Sequence, residues 1–115
     1  MTRPVRTVRL SDDFYDDLYA SLGPDRGPRG EPSREDFETT ELPAILHQFA
    51  TAFEGLPQRY PGNPRYRILL GAGALVFAFS VVGELGSDDV VTLLQLRLDL
   101  YPPAGSGGTG DEPSS

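Results

Sequence analysis

The chain has no cysteine and no lysine, and only one histidine. Without cysteine, neither a disulfide framework nor a thiolate metal site is available. Without lysine, every basic side chain is an arginine. Long apolar runs are missing too. The longest, residues 72–82, is interrupted by Gly73 and Ser80 and falls well short of the roughly 20 apolar residues of a membrane span. The opening MTRPVRTVRL lacks the apolar centre of a secretory leader. The expectation is a cytoplasmic protein that makes no use of a membrane.

What is present suits one domain of 115 residues, with 38% hydrophobic residues for a small core. The 13 glycines and 11 prolines gather in a mid-chain linker and at the C-terminus. The expected domain spans residues 1–102, with a flexible linker at 23–33 and a disordered tail at 103–115. The formal net charge is −7, and its placement says more than its sum. Arg3, Arg6 and Arg9 open the chain; Asp12, Asp13, Asp16 and Asp17 follow at once. An acidic total opposes general nucleic-acid binding, which depends on neutralising phosphates. A local arginine face remains open.

Hydrophobic spacing gives an α+β order of β-α-α-β-β-β. Residues 5–10 are β-branched and alternating, as in a strand. Ser11 then reads as an N-cap, with Asp12 and Asp13 in a first turn where the helix dipole favours negative charge. Phe14, Tyr15, Leu18, Tyr19 and Leu22 make one apolar helical face ending near Gly23. Ser33 with Asp36 resembles a capping box. Leu42, Ile45, Leu46, Phe49, Phe53 and Leu56 form the stripe of a second helix over 41–56, starting near Thr40 because Pro43 suits only a first turn. His47 lies opposite that stripe and is expected in solvent.

The second half reads as turn chemistry over 57–64, a strand over 65–70, a tight turn at GAGA, a central strand over 75–82, a hairpin loop over 83–89 and a last strand over 90–101. Alternation in the last strand puts Leu94, Leu96, Leu98 and Leu100 on one face, and Gln95, Arg97, Asp99 and Tyr101 on the other.

The candidate site is a polar sheet face built from Arg65, Arg67, Gln95, Arg97, Asp99 and Tyr101. If the two strands present those residues to the same side, the arginines can hold phosphates in bidentate fashion and the tyrosine can stack on a base. The alternative is an ordinary solvated face with weak surface ion pairs. No serine–histidine–aspartate or paired-carboxylate spacing is recognisable, and no ligand motif supports a metal at Asp88 and Asp89. The four aspartates of the first helix fit a solvated N-terminus. No cofactor is expected.

The run TVRLSDDFYDDLYASL, a second long helix, YRILLGAGALVFAFSVV, a short hairpin and VVTLLQLRLDL together resemble the RelE/ParE toxin superfamily of bacterial toxin–antitoxin pairs over residues 5–101. The resemblance implies a small sheet backed by two helices. It implies a toxin that inhibits a cellular target, either DNA gyrase or mRNA on the ribosome, and an antitoxin that wraps it. A homodimer is a further expectation. Arg65 or Arg67 matches a basic residue on the first strand of the C-terminal sheet; Arg97 and Tyr101 lie near the arginine and tyrosine of the last strand. The turn that carries a catalytic arginine in nuclease members reads GAGAL here, without one, so the resemblance favours the gyrase-binding branch. Were the chain an mRNA endoribonuclease, Arg67 and Arg97 would stabilise phosphate charge and Tyr101 would assist proton transfer. The other reading is a protein-interaction module that keeps the fold without toxicity.

Overall fold

The computed structural model describes residues 5–101; Arg3 and the tail at 103–115 lie outside them. The elements are β1 (Val8–Leu10), α1 (Asp12–Ser21), α2 (Arg34–Asp36), α3 (Leu42–Thr51), β2 (Gln58–Tyr60), β3 (Asn63–Gly71), β4 (Ala78–Leu85) and β5 (Val91–Asp99). The class is α+β, as expected, but the sheet has one strand more than the sequence order gave. Its order is β1-β5-β4-β3-β2. β1 runs parallel to β5, and every other pairing is antiparallel.

The extra strand is β2, in a stretch expected to be turn alone. Tyr60 pairs with Asn63 across Pro61 and Gly62. Gly62 sits at φ 83°, a left-handed conformation that a Pro-Gly turn requires and glycine supplies without strain.

Both expected helix starts are present. The Ser11 hydroxyl accepts the Phe14 N–H at 3.1 Å. Ser33 and Asp36 cap each other reciprocally, at 3.1 and 3.0 Å. The helical path from Arg34 to Thr51 differs from a plain helix starting near Thr40. A π-helical turn, Phe37–Glu41, joins α2 to α3. There the Leu42 N–H reaches back to the Phe37 carbonyl. The wider turn accommodates Pro43, which has no N–H to give and crowds the preceding turn. The helix also stops early, at Thr51, and a 3-10 turn over Phe53–Gly55 carries the rest of the apolar stripe.

The linker closes on itself. Arg34 N–H bonds the Gly23 carbonyl at 3.0 Å, Gly27 bonds Glu31 at 2.9 Å, and Arg26 pairs with Asp36 at 2.8 Å.

One face of the sheet carries the core. Phe14 and Leu18 of α1, Ile45 and Phe49 of α3, Phe37 and Phe53 pack on Val81, Val91, Leu93 and Leu96. Gly83 belongs to this face: a side chain there would meet the Phe49 ring at 2.6 Å. The helix therefore rests directly on the β4 backbone.

The central strand begins at Ala78, three residues later than expected. The Leu75 and Val76 amides cannot join a ladder, because both donate to the Glu41 carboxylate, at 2.8 and 3.2 Å, and Ala74 does the same at 3.1 Å. Among the described residues no helix is long and apolar enough to cross a membrane.

Candidate recognition face on the open side of the sheet

Residues directly opposite in an antiparallel ladder share a face, and neighbours along a strand alternate. Arg67 pairs with Gly83, and Leu69 with Val81. Both partners belong to the core side, so Arg65 and Arg67 belong there too. Gln95 pairs with Val82, Arg97 with Ser80 and Asp99 with Ala78, on the opposite side. The sheet thus separates the two groups of the expected patch.

A bulge explains part of the last strand. The ladder passes from Val82↔Gln95 to Gly83↔Leu93, so Leu94 is an extra residue with no partner of its own. Val91 and Leu93 before it, and Leu96 after it, all reach the core. Strict alternation over 94–100 holds only beyond the bulge.

On the core side, Arg67 is committed to the fold. Its guanidinium donates to the carbonyls of Pro64 at 2.8 Å, Glu54 at 3.1 Å and Leu56 at 2.8 Å. It also lies over the Phe53 ring, 5.5 Å from its centroid. Arg65 donates to the Leu85 carbonyl at 3.2 Å. Arg6 approaches the same Phe53 ring and pairs with Glu54 and Asp89. Those two hydrogen-bonded carboxylates push the Arg6 pKa up, and Arg6 in turn pulls Glu54 below its usual range.

The other side of the sheet is open. β1 pairs only with Val91, Thr92 and Leu93. Beyond it α1 lies alongside β5, and Asp17 accepts the otherwise free Leu96 N–H at 2.9 Å. The helix becomes a wall above the open face. Between that wall and β2 lies a recess of about 780 Å³. Asp13, Asp16 and Asp17 line one side, and Arg59 of β2 lines the other. Ile68, Ser80, Val82, Gln95 and Arg97 contribute the floor. Among the described residues neither Arg59 nor Arg97 is ion-paired, and no cation lies within pairing distance of the three aspartates.

Of the sequence-derived candidates, Gln95 and Arg97 line this recess. Asp99 shares their side of β5 but is not part of the lining. Tyr101 lies past the end of β5, 47% exposed. Sequence reading missed Arg59, because its segment read as turn; the Pro-Gly pair after Tyr60 was the available hairpin signal. It also took the α1 aspartates for a solvated helix start. Only the fold sets them beside β5. His47 is exposed on α3, away from the recess.

Nearby on the open side, Tyr66 faces Glu84 across the ladder. The proximity of that carboxylate raises the tyrosine pKa. Tyr60 packs edge-on against Tyr66, with centroids 5.5 Å apart, and Arg59 lies over the Tyr60 ring. Among the described residues no three histidine, aspartate or glutamate side chains converge as metal ligands would. The recess offers guanidinium, carboxylate, amide and hydroxyl groups around the half-buried Ile68, which suits recognition. Compared with models of protein families, with curated proteins and with solved structures, the chain matches none.

Proposed function

We propose that this protein acts by binding a macromolecular target through the open face of its sheet, as the toxin component of a toxin–antitoxin pair of the RelE/ParE type. The observation that carries this reading is the recess itself. Helices pack on one face of a mostly antiparallel sheet. The opposite face holds Arg59 and Arg97, neither ion-paired among the described residues, around a floor of Ile68, Ser80, Val82 and Gln95.

Two features favour binding over RNA cleavage. Arg67, which a nuclease would need at the phosphate, is held by three carbonyls on the far side of the sheet. Three aspartates border the recess and would repel a phosphate backbone. A protein target, gyrase-like, fits this surface better than mRNA. The same acidic border supports the second reading, an interaction module that keeps the surface without toxicity.

Expression of the chain alone from a tightly controlled promoter in a bacterial host separates the two. Arrest of colony formation, relieved by Arg59→Glu with Arg97→Glu in a protein that still folds, is the expected outcome. Normal growth with abundant folded protein would sink the toxin reading and leave the interaction module.

A further inference from the structure

Glu41 is the one buried acid among the described residues. No arginine among them pairs with it. Its partners are three successive backbone amides. Ala74 donates to Oε1, and Leu75 and Val76 donate to Oε2. The Gly73 N–H bonds the Val76 carbonyl at 3.2 Å and closes the turn that aims those amides at one point.

Successive N–H groups converging on one anion form a nest, a backbone device that binds oxyanions without a charged side chain. Gly73 belongs to it, because a side chain there would overlap Glu41 Oε2 and crowd the Val76 methyl. The loop supplies the seat, and the π-helical turn Phe37–Glu41 delivers the occupant. None of these residues lines the recess.

We infer that residues 73–76 form a carboxylate-binding site whose resident ligand is the chain's own Glu41, a built-in plug that a small carboxylate from solution replaces once that side chain is removed. The ligand class follows from the geometry. Two amides share one oxygen and the third takes the other, which matches the two oxygens of a planar carboxylate. The close approach of Gly73 and Val76 leaves no room for the further oxygens of a phosphate. The plug also sets what the loop displays. Leu75 and Phe77 are exposed on either side of the buried Val76, and they keep that arrangement while the nest is filled. The site is independent of the open face and of the toxin reading.

The test uses Glu41→Ala in the full chain. That change removes the side chain beyond Cβ, a fragment the size of acetate. Amide exchange is followed by NMR at neutral pH in sodium acetate and in sodium chloride at equal ionic strength, so that screening is the same in both. Acetate should slow exchange at Ala74, Leu75 and Val76 in a saturable way and leave β5 unchanged. The slowing should be about tenfold when acetate stands at about ten times its dissociation constant. Phosphate should not reproduce it. Glu41→Gln, whose side chain still fills the seat, should not respond to acetate, and neither should the unsubstituted protein.

Equal exchange in acetate and chloride, an equal response in Glu41→Gln, or a phosphate response as strong as that to acetate would each overturn the inference. If Glu41→Ala does not fold in chloride, folding in acetate alone supports the site, and failure in both overturns it.

Discussion

At the scale of single residues, Arg67 shows how one side chain can be mistaken for a ligand group. Its guanidinium joins three carbonyls from two different segments, the 3-10 turn region and the start of β3. A planar fork with five donors suits that task, and lysine does not. Arg67→Ala should cost about 2 kcal/mol of stability, since hydrogen bonds from a charged donor are lost together and the carbonyls are left unmatched. Arg67→Lys should recover only part of it. Urea unfolding midpoints at constant slope would measure both. An unchanged midpoint for the alanine variant would return Arg67 to the list of candidates for direct contact with a target. Arg97 carries the opposite expectation: exposed on the open face, it should tolerate substitution with no loss of stability.

At the scale of elements, the loop over 72–77 depends on a carboxylate more than thirty residues away. Glu41 is 6% exposed and accepts three successive amides, from Ala74, Leu75 and Val76. The π-helical turn places it there. A buried anion satisfied by several N–H groups is stable only while all of them remain. Glu41→Ala should therefore cost about 3 kcal/mol by leaving those amides without partners. Hydrogen exchange at Ala74, Leu75 and Val76 should accelerate together, while exchange in β5 changes far less. Glu41→Gln, which keeps one acceptor oxygen, should lie between the two. Protected amides in the alanine variant would show that the loop holds itself.

At the scale of the whole molecule, ion pairs tie distant segments and set the response to acid. Arg6 joins the N-terminal segment to Glu54 after α3 and to Asp89 before β5. Arg26 and the Ser33 backbone hold Asp36 well below the usual carboxylate range. Glu54 is lowered by its hydrogen bond with Arg6. A carboxylate whose pKa is lower in the folded state stabilises the fold above its unfolded pKa, and that contribution is lost as pH falls through the folded value. Unfolded carboxylates titrate near pH 4. The melting temperature should thus hold down to about pH 5 and fall progressively below about pH 4. Glu54→Gln with Asp36→Asn should melt lower at pH 7 and show a flatter acid limb. Identical acid limbs would mean that these two pairs are screened out of the stability balance.

Much of this architecture could be read from the chain. Ser11 and Ser33 announced helix starts because capping is local chemistry between residues three apart. Phe14, Leu18, Ile45 and Phe49 announced the core because one apolar face of a helix must be buried. Gln95, Arg97 and Asp99 announced a polar face because strand side chains alternate. Composition and spacing therefore determined the class, most of the elements and one half of the recess floor.

What the sequence could not settle was every relation between segments. Whether Arg67 and Arg97 share a face depends on the ladder that joins β3 to β4 and β4 to β5. The start of β4 depends on Glu41 taking amides across the fold. The acidic wall depends on α1 lying beside β5 where β1 has ended. Register, loop anchoring and the placement of a helix against a strand edge are fixed by contacts between residues far apart in sequence, and those contacts exist only once the chain has folded.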